Sequence, residues 1–292
     1  MKEKLKDNMS GKICLVTGAT NGIGKATAQA LAQMGATVVI VGRNPAKCAA
    51  VVSEIKHISG NDAVEALIAD LSIMAEVQQA ADQFLAKYQK LHVLVNNAGG
   101  AFGKRQLTSE GLEKTFALNH LNYFLLTSLL LDTLKSSAPA RIINVSSDAH
   151  KAAHLDFDDL QSEKGSFVFN AYGRSKLANV LFSYELARRL SGTGVTTNVL
   201  HPGLVRTGFA NNMGAVPSAV IGFFMRFVGL TPEQGAQTSI YLATSPDVEN
   251  VTGKYWEKSK AVPSGRATYD KASWTQLWEV SDKLVAARAT AG

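Results

Sequence analysis

A glycine-rich turn near the start of the chain places the strongest constraint on its fold. The sequence Thr17-Gly18-Ala19-Thr20-Asn21-Gly22-Ile23-Gly24 follows an apolar run at residues 13–16 and precedes a helical pattern of apolar residues that stops at Gly35. A strand, a glycine turn and a helix in this order aim free backbone N–H groups at a phosphate, whose close approach a Cβ would block. The G-x-x-x-G-x-G spacing therefore predicts a phosphate-binding turn, and an ordinary tight turn is the alternative.

Short apolar segments alternate with helical patterns through the first two hundred residues. The predicted strands are 13–16, 38–41, 66–69, 93–95, 142–145 and 197–200. Their unbroken apolar character is typical of strands that are covered on both faces. Strands that alternate with helices need right-handed crossovers and form a parallel sheet. We therefore predict an α/β, doubly wound Rossmann fold of about seven strands with helices on both faces.

The composition is that of a soluble globular chain, because 46% of its 292 residues are hydrophobic and 18% are charged. The net charge of +6 is moderate, so we expect no nucleic-acid partner. Two cysteines, Cys14 and Cys48, and the lack of an apolar signal sequence favour a cytoplasmic setting. No linker divides the sequence, so we expect one domain over residues 1–292 with a flexible start at 1–10.

Small polar residues follow several of the predicted strands. They are Asp70, Asn96, Asn97, Ser146, Ser147 and His201. Each alone is compatible with a loop, but in an open parallel sheet ligands bind beyond the carboxyl ends of the strands. Together they predict a ligand site along this edge. The nearby histidines form no spaced ligand cluster, so we expect no metal.

Tyr172 and Lys176 lie in a helical pattern that runs from about residue 170 to 190. Residues four apart share one helix face, so the phenol and the ammonium can reach one site. A free phenol has a pKa of about 10 and is a poor base at neutral pH, but a nearby cation favours the phenolate. The pair predicts general acid–base chemistry on an alcohol or a carbonyl, and a solvated helix face is the alternative.

In their order along the chain, these motifs resemble those of the short-chain dehydrogenase/reductase family. The resemblance covers about residues 11–257 and includes the glycine turn, Asn96-Asn97-Ala98-Gly99, a serine after the fifth strand, the Tyr172 and Lys176 pair, and Pro202-Gly203. The detail is similar to the retinol-dehydrogenase-like branch, which also resembles light-dependent protochlorophyllide reductases. Residues 116–120, 144–147, 172–179 and 277–281 carry this closer similarity.

The resemblance implies a nicotinamide-dependent oxidoreductase that interconverts a carbonyl and an alcohol. It implies that Tyr172 is the acid/base and that Lys176 lowers the pKa of Tyr172 and binds the nicotinamide ribose. By the same resemblance, Ser147 rather than Ser146 holds the substrate oxygen, and Asn119 holds a water that passes protons to Lys176. A dinucleotide-binding regulator without turnover is the alternative function.

The resemblance also implies which residues bind the cofactor. They are Gly18, Thr20, Asn21, Gly22 and Ile23 at the pyrophosphate; Asp70 and Leu71 at the adenine; Asn97, Ala98, Gly99, Tyr172 and Lys176 at the ribose and nicotinamide; and Pro202, Gly203, Val205 and Thr207 at the carboxamide and a phosphate.

The end of the second strand predicts which nicotinamide cofactor is used. Gly42 stands where NAD-binding sheets commonly carry an acidic residue that bonds the ribose, and Arg43 follows it. A guanidinium can bind a 2′-phosphate through paired, charge-assisted hydrogen bonds, whereas a carboxylate would repel it. We therefore predict that NADP is the cofactor, with NADPH preferred over NADH. A solvated loop arginine is the alternative.

An apolar segment follows Pro202-Gly203. We expect residues 208–232 to form a lid over the substrate and residues 258–292 to form a C-terminal helical extension. The lid composition favours a small-molecule substrate that is bulky and apolar, such as a retinal-like, steroid-like or xenobiotic carbonyl. The apolar stretch of this segment, residues 216–230, is too short for a membrane span, which needs about 20 apolar residues, and Arg226 interrupts it. Peripheral membrane contact and a homo-oligomer interface are the alternative roles for it.

Overall fold

The computed structural model describes residues 9–165, 168–205 and 229–289. Its strands are β1 Ile13–Thr17, β2 Thr37–Gly42, β3 Val64–Ile68, β4 Val93–Asn96, β5 Ala140–Val145, β6 Val195–His201, β7 Tyr255–Glu257 and β8 Lys260–Val262. Its α-helices are α1 Gly22–Gln33, α2 Pro45–Ser59, α3 Met74–Lys87, α4 Lys114–Phe116, α5 Asn122–Leu129, α6 Leu131–Ser136, α7 Val168–Arg189, α8 Pro232–Thr244 and α9 Lys271–Ala289.

The strands form one sheet in the order β3-β2-β1-β4-β5-β6-β7-β8. Every neighbouring pair from β3 to β7 is parallel, and β8 pairs antiparallel with β7. The chain order reverses between β1 and β4, so their carboxyl ends flank the crevice in which sheets of this kind bind ligands. The predicted doubly wound α/β fold is confirmed.

Eight strands are described where about seven are predicted. Neither β7 nor β8 is among the six strands located in the sequence, and β8 is the second arm of a hairpin whose turn residues Lys258 and Ser259 have φ values of 50° and 57°. Two-residue turns with positive φ normally carry Asn or Gly, so the sequence here lacks the usual hairpin signal. Because β8 has only three residues and they are largely exposed, it shows no apolar pattern either.

Both faces of the central sheet are covered by helices, which explains the unbroken apolar runs. In β1, Leu15 packs into a buried cluster that includes Phe84 of α3 and Phe182 of α7. Its neighbour Val16 packs into a second cluster with Leu31 of α1. A strand that contributes to both clusters has no polar face, so period-two alternation is absent.

The helical region predicted through residues 116–129 is interrupted. Between α4 and α5 the chain forms a π turn, Ala117–Leu121, that contains the buried Asn119. Insertions of this kind inside a helix often occur at functional sites. The apolar spacing of the sequence does not reveal this turn, because one extra residue per turn barely changes the periodicity.

Two stretches that carry sequence predictions lie outside the described residues. Residues 1–8 include most of the predicted flexible start, and residues 206–228 include Thr207 and most of the predicted lid. Met9, the first described residue, is buried. At the other end, residues 258–262 belong to the hairpin, and α9 begins at Lys271. In the described parts of the chain, no helix has the length and apolar character needed to cross a membrane.

Candidate active site

The glycine turn between β1 and α1 is packed too closely for side chains at two positions. Gly18 has a φ of +64°, and a Cβ there would lie 2.7 Å from the Cα of Ala98. A Cβ on Gly24 would lie 2.4 Å from the Nδ2 of Asn97. Asn21, the N-cap residue of α1, makes no side-chain cap bond. The N–H groups of the first turn of α1 are therefore available to an anion, and this cradle fits a dinucleotide pyrophosphate.

Thr17 organises the loop after β4, although sequence reasoning did not single it out. Its Oγ1 accepts hydrogen bonds from the N–H groups of Asn97 at 2.9 Å and Ala98 at 3.0 Å. In return, Asn97 Nδ2 donates to the carbonyl of Thr17 at 2.8 Å and to that of Gly18 at 3.2 Å. These bonds fix the two loops of the crevice against each other. The position of Thr17 at the last residue of β1 is the signal that could have identified it.

A cavity of about 770 Å³ runs along the carboxyl ends of the strands. Every predicted cofactor-binding residue that the structure describes lines this cavity, and so does Ser147. Asn119 is fully buried and is not one of the residues that line the cavity. Sequence reasoning missed several lining residues, which are Lys47, Ser72, Gly100, Phe102, Lys114 and Leu118.

The two serines after β5 make different contacts. Ser146 is buried, and its hydroxyl donates a 2.8 Å hydrogen bond to the carbonyl of Lys176. Ser147 is half-buried, caps the short helix Asp148–Ala152, and hydrogen-bonds Tyr172. The geometry therefore favours Ser147 as the residue that holds a substrate oxygen.

Burial dominates the protonation of Tyr172 and Lys176. It raises the pKa of Tyr172 to about 12, and the hydrogen bond from Ser147 opposes the shift. It lowers the pKa of Lys176 to about 7. The Nζ of Lys176 lies 5.8 Å from the centre of the Tyr172 ring. At this distance the lysine does not lower the pKa of the Tyr172 phenol below its ordinary value. The expectation that Lys176 lowers this pKa is therefore not met in the protein alone, where the phenol keeps its proton.

Lys176 and Asn119 both pack against the loop after β4. Lys176 Nζ donates to the carbonyl of Val145 at 2.9 Å. A Cβ on Gly99 would lie 3.0 Å from Asn119 Oδ1 and 3.4 Å from Lys176 Nζ, so glycine permits the close approach.

Both polar atoms of the Asn119 side chain already have hydrogen-bond partners in the protein. Its Oδ1 accepts from the N–H of Gly100 at 2.8 Å, and its Nδ2 donates to the carbonyl of Gly100 at 2.9 Å and to Ser175 Oγ at 2.8 Å. These bonds hold the loop, and the proton relay through Asn119 stays a prediction.

The far end of the cavity is basic. Arg43 and Lys47 both line it, and they flank the start of α2, whose N-cap is Asn44. A helix N-terminus and two cations together favour an anion. The Arg43 guanidinium is 61% exposed and lies 3.7 Å from the carboxylate of Asp70. A Cβ on Gly42 would lie 2.5 Å from Thr20 Cγ2, so a side chain there requires the Thr20 side chain to move.

These features define a nicotinamide-dependent oxidoreductase of the short-chain class. The sequence model described as short chain dehydrogenase matches residues 12–216, and the chain belongs to that family. Retinol dehydrogenase 12 of Mus musculus is 42% identical over 275 residues, which cover 94% of this chain and 86% of the relative. Polyprenol dehydrogenase of Homo sapiens is 42% identical over 279 residues, with 94% and 84% covered.

A solved structure supports the same fold and cofactor class. The Pseudomonas aeruginosa RhlG/NADP active-site complex is 30% identical, has a TM-score of 0.69, and is matched over 90% of this chain and 99% of that one. The sequence relatives, which include retinol dehydrogenases, place the chain in the retinol-dehydrogenase-like branch of the family.

Proposed function

We propose that the chain interconverts a carbonyl and an alcohol in a bulky apolar substrate, with NADP(H) as the cofactor and Tyr172 as the acid/base. The observation that carries this proposal is the convergence of Ser147, Tyr172 and Lys176 on the cavity that begins at the glycine turn. Bound NADPH would supply the hydride. The residues of the chain bind the cofactor, orient the carbonyl and manage the proton.

The proton is held on the phenol oxygen of Tyr172. In carbonyl reduction the phenol oxygen donates this proton to the substrate oxygen. In alcohol oxidation the phenol must first lose the proton so that it can accept one from the alcohol. A phenol whose pKa is raised to about 12 by burial carries this proton at neutral pH, so it is present for donation to a carbonyl oxygen. Ser147 would donate a hydrogen bond to the same substrate oxygen, and Lys176 would bind the cofactor ribose.

Two observations support an apolar substrate. Phe102, Leu118 and Leu204 line the cavity beside the polar residues. Leu204 is 65% exposed, so an apolar side chain stands at the edge of the site. The relatives' names specify retinol and polyprenol, which are long apolar alcohols. The predicted lid and its alternative contact with a membrane surface concern residues outside the described ranges, and both stay predictions.

The proposal is tested by adding NADPH and one carbonyl at a time to the purified protein and following the loss of cofactor absorbance. We expect turnover of all-trans-retinal and of a linear isoprenoid aldehyde, and a much lower kcat/KM for acetaldehyde. A preference for acetaldehyde would contradict the apolar substrate class. Tight NADPH binding without turnover of any carbonyl would favour the regulator.

A further inference from the structure

His150 makes two main-chain contacts beside the candidate catalytic serine. It lies in the short helix Asp148–Ala152, directly after Ser147, and only 1% of it is exposed. Its Nδ1 is 2.7 Å from the carbonyl oxygen of Ser147. Its Nε2 accepts a 2.9 Å hydrogen bond from the N–H of Gly265. The ring therefore bridges two segments that are distant in sequence.

The two contacts determine the protonation state of the ring. Because Nε2 accepts a backbone N–H, it carries no proton. The ring proton must then be on Nδ1, which donates to the carbonyl of Ser147. A neutral imidazole with this tautomer satisfies both bonds, whereas a charged ring would lose the bond from Gly265. Burial lowers the pKa of His150 and so favours the neutral form.

The Gly265 end of this bridge is anchored to the helix that carries the candidate acid/base. Ser264 Oγ lies 2.7 Å from the hydroxyl of Tyr184, a residue of α7. A Cβ on Gly265 would lie 3.0 Å from the Cα of Lys151 and 3.3 Å from the His150 ring, so the loop packs directly on the turn. Through this loop, the main chain at Ser147 is tied to α7, which also holds Tyr172.

We propose that His150 is a positioning residue whose neutral imidazole fixes the turn of Ser147 relative to Tyr172 by bridging Ser147 and Gly265. The inference rests on the role of Ser147 in the proposed function. His150 lies outside the lining of the candidate site, so it acts through Ser147.

The charged and titratable groups around His150 come from four elements. On its own short helix, Asp148 and Lys151 form an ion pair at 2.7 Å. From β6, the Nδ1 of His201 accepts the N–H of Asp148 at 3.2 Å, and its Nε2 lies 3.8 Å from the Asp148 carboxylate.

From β7, the ring of Tyr255 lies 4.8 Å from that of His150, and its hydroxyl donates to Asp148 at 3.1 Å. The hydroxyl of Tyr184 reaches the same loop from α7 through Ser264. The carboxylate therefore has three partners of its own, and neither nitrogen of His150 bonds it. We accordingly expect the bridge to weaken only when acid protonates Nε2.

The test compares three variants with the same NADPH and the best carbonyl of the panel. His150→Phe keeps a planar ring and removes both bonds, and we expect kcat to fall at least tenfold while the KM for NADPH changes less than threefold. His150→Asn retains a donor near the Nδ1 position, and His150→Gln retains an acceptor near Nε2. Each should recover part of the lost kcat, and Asn should recover more because it keeps the bond to Ser147.

A double-mutant cycle separates this proposal from the role of Ser147 itself. In a Ser147→Ala background, His150→Phe should cause no further loss of kcat. An equal fold loss in both backgrounds would overturn the proposal, because His150 would then act independently of Ser147. Wild-type kcat in Ser147→Ala alone would instead refute the proposed role of Ser147.

A spectroscopic measurement checks the bridge without turnover. In ¹⁵N-histidine NMR of the wild-type protein at pH 7, assigned by comparison with His150→Asn, we expect a neutral ring protonated at Nδ1. A ring protonated at Nε2, or a charged ring, would overturn the proposal.

Discussion

The hydroxyl of Ser146 donates a 2.8 Å hydrogen bond to the carbonyl oxygen of Lys176, and this bond ties the end of β5 to α7. The side chain of the same lysine donates from Nζ to the carbonyl of Val145 at 2.9 Å. Both ends of Lys176 are thus bound to the two residues that precede Ser147. These bonds set the separation between the end of β5, which Ser147 follows by two residues, and the helix that carries Tyr172.

Replacing each of the adjacent serines by alanine should have different effects. Ser147→Ala should lower kcat by about 10²-fold or more, because it removes a hydrogen bond to the reacting oxygen, and should lower the melting temperature only by the loss of a half-buried, 3.3 Å cap bond. Ser146→Ala should chiefly lower the melting temperature, since a buried hydrogen bond contributes about 1 kcal/mol to stability. Steady-state kinetics and thermal unfolding measure both. The reverse pattern would assign the substrate oxygen to Ser146.

Tyr172→Phe should remove the proton donor and preserve the ring. We expect kcat to fall by about 10²–10⁴-fold, the range usual for a positioned acid/base. NADPH affinity, measured by fluorescence titration, should change little because Lys176 and the glycine turn remain. Residual activity of a tenth of the wild type would exclude Tyr172 as the acid/base.

The pKa of Lys176, lowered by burial to about 7, predicts a pH-dependent cofactor affinity. The ammonium is present below this pKa and is lost as pH rises, so binding of NADPH should weaken between about pH 7 and 9. The limit for one proton is about tenfold per pH unit. Lys176→Met should abolish the slope, whereas Lys114→Met, at another lysine that lines the cavity, should retain it. An unchanged slope in Lys176→Met would contradict the prediction.

The sequence predicts the sheet well because each strand end carries its own signal. Thr17 ends β1 and Gly18 follows it, Asn97 follows the neighbouring β4, and these residues touch in the structure as the doubly wound order requires. The strand β8 was missed because its turn, Lys258-Ser259, has positive φ without Asn or Gly. A strand can therefore be predicted from the sequence only where its own residues carry an apolar run or a turn signal.

Long-range contacts explain what sequence reasoning missed in the site. The bond between His150 and Gly265 spans 115 residues, and neither residue belongs to a recognisable motif. The protonation of Tyr172 was expected to follow its neighbour Lys176, but burial by the surrounding fold sets it. Spacing along a helix shows which side chains can meet, whereas the degree of desolvation depends on the whole fold.

The burial of His120 predicts that stability depends on pH. Burial lowers the pKa of this histidine to about 3, so the unfolded chain binds a proton that the folded chain does not. Unfolding free energy should therefore fall as pH drops below about 6.5, by up to about 1.4 kcal/mol per pH unit. His120→Phe keeps an aromatic ring beside Phe116 and Phe182 and removes the bond to Ser281, so it should lower the melting temperature at all pH values but show a smaller loss between pH 6.5 and 4.5.

The control for this measurement is His57→Gln, at an exposed histidine of α2. Its acid dependence should match the wild type. A wild-type slope in His120→Phe would show that other groups govern the loss of stability in acid. His150 and His201 also have pKa values lowered by burial, so we expect the slope to be reduced rather than abolished.

Arg43 and Lys47 should select NADPH over NADH, because both cations line the end of the cavity where α2 begins. The double variant Arg43→Ala with Lys47→Ala should lower kcat/KM for NADPH by roughly ten- to a hundredfold, which corresponds to about 1.5–3 kcal/mol for a charge-assisted contact. NADH should be affected less than threefold because it lacks the 2′-phosphate. Since the Arg43 side chain is 61% exposed, the effect should shrink as salt increases.

Removing these cations is a sharper test than adding a carboxylate at Gly42. A Cβ there would lie 2.5 Å from Thr20 Cγ2 and 2.8 Å from Cys48 Sγ, so it would also force these side chains to move, and Thr20 lines the cavity. Lys90→Ala is the matched control, because Lys90 is exposed and precedes β4, at the amino ends of the strands and away from the cavity. If the double variant keeps the NADPH preference of the wild type, or if Lys90→Ala reduces it equally, the selection does not reside in Arg43 and Lys47.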